Sequence, residues 1–301
     1  MSIGNRIKVA VVGDVHDQWD EADHTALKGL GVDLVLFVGD FGNEAVEVVQ
    51  KVASLDLPKA VNLGNHDAWY SASSWGRSRC PYDRHAEDRV QMQIDLLGDA
   101  FVGYGKLDFP DWGISVVGVR PFSWGGVKWK HRKFYRRRFD VRNFEESIDR
   151  ILQVVEQTTC DHLIFVGHNG PAGMGDQPED PCGKDWYPAG GDYGDMDFEM
   201  ALSKTPTLGK QVSLVTFGHM HHSLRIAPDR TRRTIHVQDQ AVYLNAACAP
   251  RIQPTAQGML RNFSLVTIEA GIVQHCQLVW VTAEGTIVES KELYKITEKK
   301  C

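Results

Sequence analysis

The chain has 301 residues, of which 43% are hydrophobic and 24% charged, and its formal net charge is −6 at pH 7. These values are typical of a globular protein, and the negative balance excludes a general attraction to nucleic acid or to an anionic membrane surface. No apolar run approaches the roughly 18 residues that a membrane span requires, and the N-terminus lacks the apolar core of a signal peptide. We therefore expect a cytoplasmic protein with no membrane partner.

The first 65 residues alternate between predicted strands and predicted helices. Apolar runs at residues 9–12, 34–38 and 61–63 predict buried strands. Between them, residues 19–30 predict one helix, and a second helix is predicted to begin near Asn43, a residue type that caps helices well, and to end near Leu55. This alternation predicts a parallel α/β arrangement for the first part of the chain.

The remainder of the chain predicts two further helices and a β-rich C-terminal part. Helical spacing of Val90, Ile94 and Leu97 predicts a helix that ends at Gly98, and Asn143 is expected to cap another. Apolar runs at residues 163–166 and 214–217 predict two more strands, and residues 235–247, 263–269 and 273–281 predict strands that complete a second sheet. Irregular segments are expected at about residues 68–85, 120–142 and 170–197, and we place them at the rim of the site.

Five of the predicted strands end in glycine, and Asp, Asn or His follows directly. The side chains brought to strand ends in this way are Asp14, His16, Asp40, Asn65, His168, His219 and His221. Oxygen and imidazole donors without a thiolate suit Mn, Fe or Zn, and seven donors exceed the needs of one tetrahedral zinc. The set therefore favours two metal ions that share a carboxylate.

The blocks GDVH, GD, GNHD, GH and GHMH, in this order over residues 8–222, resemble the calcineurin-like metallophosphoesterase superfamily. The resemblance implies an α/β fold of two packed mixed β-sheets flanked by helices, a four-layer αββα sandwich, as a single domain over residues 1–301. It also implies that Asp14, His16 and His221 bind the first metal, that Asn65, His168 and His219 bind the second, and that Asp40 bridges both.

The same resemblance implies a reaction. The family members it points to hydrolyse a phosphomonoester or phosphodiester by attack of a hydroxide that bridges two divalent ions, here Mn in the first place, with Fe or Zn as alternatives. His66 is expected to protonate the leaving oxygen, because an ordinary imidazole pKa near 6.5 allows this at neutral pH. Asp67 is expected to steady His66. Asp17 stands where many members have glycine. We interpret it as an acidic residue that enters the next helix, with contact to a metal ligand or to substrate as the alternative.

The motifs narrow the class of substrate but do not identify the substrate. Protein Ser/Thr phosphatases of the superfamily carry phosphate-binding arginines after the second block and before the third. This chain has Phe41-Gly42-Asn43-Glu44 and Leu63 at those places, and its third block ends in Asp67, so it is more similar to the GNHD branch. The segments GDVHDQWD, LGNHDAWY and FGHMHH also resemble those of a subgroup associated with photosynthetic organisms. A phosphorylated small molecule or a nucleotide is the expected substrate, with nucleic acid as a weaker alternative. Candidate phosphate contacts are Arg77, Arg79, Arg136, Arg137 and Arg138.

Three of these arginines belong to a basic stretch, residues 128–138, that contains no acid and is interleaved with aromatic residues. It either faces a multiply charged substrate or forms a solvated helical face. Two other classes of function stay open. The chain could be an inactive scaffold of the same fold that binds a protein partner, although His66 and every ligand position are intact. It could also be a nucleic-acid-binding protein, although it has no helix-turn-helix or zinc-finger pattern.

Overall fold

The computed structural model describes residues 6–256 and 258–296, which form two β-sheets with helices packed against them. The strands are β1 (Arg6–Val12), β2 (Leu34–Phe37), β3 (Lys59–Val61), β4 (Lys106–Phe109), β5 (Ile114–Gly118), β6 (His162–Val166), β7 (Gln211–Phe217), β8 (Ile235–Gln238), β9 (Ala241–Asn245), β10 (Ile252–Thr255), β11 (Gly258–Glu269), β12 (Ile272–Val281) and β13 (Ile287–Lys295). The α-helices are α1 (Glu21–Gly29), α2 (Val46–Ala53), α3 (Ser74–Arg77), α4 (Arg89–Leu97), α5 (Arg132–Phe139), α6 (Phe144–Glu156) and α7 (Met196–Lys204).

Both sheets are mixed. The first has the order β13-β12-β11-β1-β2-β3, with β10 paired to β11, and the second has the order β4-β5-β6-β7-β9-β8. Strands β1, β2 and β3 run parallel to one another, and so do β5, β6, β7 and β9. The parallel strands of each sheet therefore end at a common edge, and polar side chains that follow them can meet there.

Successive side chains of a strand point to opposite faces of its sheet, so the apolar core is divided into three layers. Val9 and Val11 of β1 pack with Val116 of β5 and Ile164 of β6 between the two sheets. The opposite face of the first sheet packs on α1, α2 and α4, and the opposite face of the second packs on α6 and α7. The result is the predicted four-layer order of helix, sheet, sheet and helix.

Two details of the predicted elements were wrong. The C-terminal strands β11, β12 and β13 extend the first sheet, because β11 pairs antiparallel with β1, whereas only β8 and β9 join the second sheet. Asn43 does not cap α2, which begins at Val46 after Ala45 without a side-chain cap. None of the helices in the described ranges is long and apolar enough to cross a membrane.

The three irregular segments contain some regular structure. Residues 68–85 include α3, residues 120–142 include α5, and residues 170–197 contain only isolated bridges until α7 begins at Met196. The single domain over residues 1–301 stays a prediction, since that range includes residues outside those described.

Candidate metal centre

The seven predicted ligands lie where the parallel strands of the two sheets end. Asp14 and His16 follow β1, Asp40 follows β2 and Asn65 follows β3, all in the first sheet. The second sheet contributes three histidines, His168 after β6 and both His219 and His221 after β7. The two sheets thus bring donors from opposite sides to one place.

Two glycines lie so close to predicted ligands that a residue with a side chain would not fit at either position. A Cβ atom added to Gly64 would lie 2.2 Å from Oδ1 of Asp40 and 2.6 Å from Cε1 of His168. A Cβ atom added to Gly218 would lie 2.3 Å from Oδ2 of Asp14. These separations are far shorter than van der Waals contact, so a side chain at either position would displace a ligand.

The backbone of several ligands is strained. The φ angles of Asp14, His16, Asp40 and His219 are 50°, 44°, 59° and 65°, in the left-handed region that is uncommon for residues other than glycine, although Asp, Asn and His enter it more often than most. Such conformations cluster at functional sites, where the surrounding structure holds them. Asp17 also has a positive φ, 66°, and precedes α1 by several residues, so it is a turn residue and does not enter the helix.

The first group of donors contains Asp14, His16 and His221. The Nε2 atoms of the two histidines are 3.1 Å apart, and Oδ1 of Asp14 lies 3.3 Å from Nε2 of His221 and 3.8 Å from Nε2 of His16. Three donor atoms that converge within 4.8 Å of one another could hold a metal ion. Backbone N–H of His219 donates to both oxygens of Asp14 and fixes that carboxylate in place.

The second group contains Asp40, His168 and His219, with Asn65 beside them. Nδ1 of His168 donates to the carbonyl oxygen of Val38 at 2.7 Å, which leaves the lone pair on Nε2 in the neutral ring. That Nε2 lies 3.0 Å from Oδ1 of Asn65 and 3.2 Å from Oδ1 of Asp40. Either a proton on Nε2 or a metal ion must lie between these atoms, and the oxygen and imidazole donors fit a divalent metal.

The charges of the buried groups around this site favour the binding of a cation. Burial opposes a charged His168, but the carboxylates of Asp40 and Asp14 outweigh burial and raise its pKa to about 9. Burial likewise opposes ionisation of Asp40, yet His168 and His66 hold the pKa of that carboxyl well below its usual range. Burial and the neighbouring His168 lower the pKa of His219 to about 3, which keeps its ring neutral and able to donate to a metal.

His66 lies next to this centre with its ring held on two sides. Nδ1 of His66 is 2.6 Å from Oδ1 of Asn43, its ring stacks on Trp69 at 4.5 Å, and its Nε2 is 3.9 Å from Oδ2 of Asp40. Burial, with the charges of His16 and His168, lowers the pKa of His66 below 6.5 in spite of Asp40. The pKa of His66 is thus lower than the ordinary value on which its predicted role relied, and that role stays a prediction. Sequence reasoning also missed Asn43, whose role depends on a contact distant in the chain.

Asp67 does not steady His66, which corrects the prediction for this residue. Its buried carboxylate accepts hydrogen bonds from the backbone N–H groups of Asp40, Phe41 and Gly64 at 3.0, 2.9 and 2.6 Å. Burial and the charge of Asp40 raise its pKa well above the usual range, whereas these backbone donors act in the opposite direction. Asp67 thus organises the loops that carry Asp40 and Asn65.

A cavity of about 220 Å³ opens beside the donors. It is lined by Asp40, Asn65, His66, Trp69, Trp124, Lys130, Asp185, Trp186, Tyr193, His219, Met220, His221 and Arg225. A larger cavity of about 620 Å³, near Glu199, Lys210 and Asp239, includes none of the predicted ligands, so volume alone does not identify the site.

The five arginines predicted to contact phosphate do not line this cavity. The guanidinium of Arg77 donates to the carbonyls of Ser71 and Ala72, and that of Arg79 lies over the ring of Trp75. Arg136, Arg137 and Arg138 lie on α5, whose aromatic residues Phe134 and Tyr135 are buried while Arg136 and Arg137 are exposed. The helix has turned its apolar residues into the core, so Arg136 and Arg137 form a solvated face, while Arg138 pairs with Asp88 and Gln91.

The cations of the cavity are Lys130, from the start of that basic stretch, and Arg225. Nζ of Lys130 donates to the carbonyls of Trp124 and Gly125 and to the hydroxyl of Tyr193. Sequence reasoning missed Arg225, which lies in the turn-rich segment after β7 and has no motif to mark it.

Comparisons with known proteins give a family and a fold. A sequence profile described as calcineurin-like phosphoesterase matches residues 7–223. No curated protein matches the chain. One solved structure superposes with a TM-score of 0.52 at 11% identity, covering 92% of this chain and 99% of its own.

Two further solved structures have named sources. A protein of Thermus thermophilus superposes with a TM-score of 0.49 at 11% identity, covering 96% of this chain and 100% of its own. A dimetal phosphatase from Danio rerio superposes with a TM-score of 0.48 at 13% identity, covering 96% of this chain and 99% of its own. At such identities the first structural likeness shows a shared fold and none indicates a substrate. The GNHD branch and the subgroup of photosynthetic organisms stay predictions.

Proposed function

Because the chain belongs to the calcineurin-like phosphoesterase family, we propose that it is a metal-dependent phosphoric ester hydrolase with two divalent ions, acting on a phosphomonoester or phosphodiester. The observation that carries this proposal is the convergence of donors from two sheets. Asp40, Asn65, His219 and His221 line one cavity, and Asp14 and His168 lie beside them in the same donor groups. Asp14, His16 and His221 would hold one ion, and Asn65, His168 and His219 the other, with Asp40 between them.

When bound, such ions supply an activated water and neutralise charge on phosphoryl oxygens. The donor set of oxygen and imidazole suits Mn best, with Fe or Zn as alternatives. Asp67 and the 2.7 Å bond from His168 to Val38 hold two of these ligands in their orientation. Preorganised ligands matter here because a loosely held donor lowers metal affinity.

His66 is the residue that would manage the proton of the leaving oxygen. Since Nδ1 is engaged by Asn43, Nε2 is the nitrogen left to face the substrate. An anionic phosphoester bound beside this ring would raise its pKa again, because an opposite charge favours the protonated form. Lys130 and Arg225 contribute positive charge to the same cavity and favour an anionic substrate.

Hydrolysis of 4-nitrophenyl phosphate and bis(4-nitrophenyl) phosphate with Mn²⁺ tests the proposal. We expect Asp40→Asn to lower kcat/KM for the better substrate by at least about a hundredfold, because the shared carboxylate and its charge are lost. Asp56→Asn is the matched control, since the side chain of Asp56 is 94% exposed and pairs only with Lys28 among the described residues.

Elemental analysis of the same proteins after desalting gives the second readout. We expect about two ions per chain in the wild type and in Asp56→Asn, and fewer in Asp40→Asn. Hydrolysis by the wild type no faster than by Asp40→Asn, with both esters, would reject the proposal and favour the inactive scaffold.

A further inference from the structure

The cavity beside the metal centre is unusually rich in aromatic side chains. Three of the eight tryptophans of the chain, Trp69, Trp124 and Trp186, line this one small cavity together with Tyr193. All four are half-buried, whereas Trp19 is 2% exposed in the core. Large aromatic surfaces that line a polar cavity without being covered are typical of ligand sites.

The aromatic rings form a row that starts at His66, beside the metal centre. The ring of His66 stacks on Trp69 with centroids 4.5 Å apart and planes at 11°, and Trp69 stacks on Trp124 at 5.3 Å and 15°. Trp186 and Tyr193 form a second, edge-to-face pair at 4.7 Å and 82°. A role in supporting the ring of His66 would account for Trp69. It would not account for Trp186 and Tyr193, which have no ring contact with His66 among the described residues.

Tyr193, one member of the second pair, is fixed relative to Trp124. Nζ of Lys130 joins the carbonyl of Trp124 to the hydroxyl of Tyr193, at 3.1 and 2.8 Å, and the backbone N–H of Gly126 donates to the carbonyl of Tyr193 at 2.8 Å. A Cβ atom at Gly126 would lie 3.0 Å from the Tyr193 ring, so glycine is what permits this close packing. Preformed aromatic surfaces lower the entropy lost when a flat ligand binds.

Positive charge lies at the same place. The guanidinium of Arg225 is 5.8 Å from the centroid of Trp186, and within the described ranges no carboxylate pairs with it. The backbone N–H of Arg225 donates to Asp185, which itself pairs with Arg232, so the backbone of this segment is fixed while the cation is available. A ligand with a flat ring and more than one anionic oxygen satisfies both features.

We propose that the substrate is a nucleoside phosphate, whose base stacks on the ring of Trp186, with Tyr193 at its edge, while its phosphoryl group lies at the metal centre. This inference rests on the proposed function, which supplies the phosphoester at that centre. Stacking on an aromatic side chain recognises the base by its flat surface, so it favours nucleotides as a class and does not select among bases.

Calorimetry with two phosphonate analogues tests the inference without hydrolysis. The analogues are those of AMP and of ribose 5-phosphate, in which a methylene group replaces the ester oxygen, so they differ only in the base. On wild-type protein loaded with Mn²⁺, we expect the AMP analogue to bind at least about tenfold more tightly, which is the usual effect of stacking one base. Equal Kd values, or no binding of either analogue, would overturn the inference.

Variants locate the effect on the protein. We expect Trp186→Ala to bring the ratio of the two Kd values close to one and Trp186→Phe to keep part of it, because phenylalanine retains a smaller ring. Tyr187→Ala is the matched control on the same loop, since Tyr187 is 94% exposed and outside the cavity lining, and it should keep the full ratio. A ratio that Trp186→Ala leaves unchanged would also contradict the inference.

The two proposals fail separately. Equal Kd values in a protein that hydrolyses 4-nitrophenyl phosphate in an Asp40-dependent way would reject the nucleotide and keep the phosphoesterase. A tenfold preference in a protein that hydrolyses no ester would support the nucleotide site and reject the phosphoesterase.

Discussion

Asn43 is the residue whose role differs most from its predicted one. Its Oδ1 atom lies 2.6 Å from Nδ1 of His66, and its side chain is exposed, so it contributes to the orientation of the ring and little to the core. The contact spans 23 residues and exists because the ends of β2 and β3 lie side by side. Outer groups of this kind set the tautomer of the histidine that they bond.

We expect Asn43→Ala to lower kcat for 4-nitrophenyl phosphate about tenfold, because the ring of His66 loses the acceptor that fixes its orientation. Asn43→Asp keeps an oxygen at that position and should restore most of the activity. The thermal midpoint Tm and the metal content should be the same in all three proteins. Equal kcat values for Asn43→Ala and the wild type would show that Asn43 does not position His66.

Helix α5 shows how an element can carry charge without serving the site. It begins after His131, whose φ of 54° is left-handed, and it buries Phe134 and Tyr135 while its arginines lie outside. His131 contacts Trp124 with ring centroids 5.1 Å apart. Burial and the nearby charges of Lys130, Arg77 and Arg120 lower the pKa of His131 to about 4.

This shift predicts a loss of stability in acid. His131 is neutral in the folded protein down to about pH 4, while in the unfolded chain it takes up a proton near pH 6.5. The free energy of unfolding should therefore decrease as pH falls from 6.5 towards 4. Because the ring is partly exposed, we expect a contribution of about 1 kcal/mol between pH 7 and pH 5.

Urea unfolding of His131→Asn at pH 7 and pH 5 measures this contribution. Asparagine tolerates the left-handed backbone, so the variant should fold and should lose less stability than the wild type between the two pH values. His85→Asn removes an exposed histidine and is the control. The same pH dependence in His131→Asn as in the wild type would contradict the prediction.

At the scale of the whole molecule, the site depends on the alignment of two sheets that do not share hydrogen-bonded strands. Asn62, the residue directly after β3, is fully buried between them. Its Nδ2 donates to the carbonyls of Val166 and Val119, at 3.0 and 3.4 Å, and its Oδ1 accepts from the N–H of Leu63. The residue thus fastens the end of β3, before Asn65, to the end of β6, before His168.

We expect Asn62→Ala to lower the free energy of unfolding by about 1–3 kcal/mol, since the N–H of Leu63 loses its acceptor and the carbonyls of Val166 and Val119 each lose one of two donors. We also expect weaker Mn²⁺ binding, measured by calorimetry, because ligands from the two sheets lose a common anchor. Asn262→Ala is the control, since that buried asparagine lies on β11 and donates to Cys248, outside the metal centre. Equal loss of Mn²⁺ affinity in both variants would show that general destabilisation is sufficient.

The sequence by itself determined the five strands that lead into the polar residues, those polar ends and the family, but not β4, β5, β10 or β13. Apolar runs bounded by glycine are local signals, so Asp14, Asp40, Asn65 and His168 could be placed at strand ends from their immediate neighbours. The first three strands, α1 and α4 were predicted for the same reason. The sheet that β11, β12 and β13 join could not be, because strand pairing is decided between segments that are distant in the chain.

Only the tertiary structure decided which polar groups serve the site. Asn43 and Asn62 carry no pattern of their own, and each acquires its role from a carbonyl or ring in another element. The arginines of α5 have the composition of a phosphate site, but burial of Phe134 and Tyr135 fixes the rotation of that helix. Arg225 and Trp186 reach the cavity because two loops meet there. The residue types that a site needs can be read from short stretches of sequence. The distances between their side chains, and the directions in which those side chains point, are set by the packing of the folded chain.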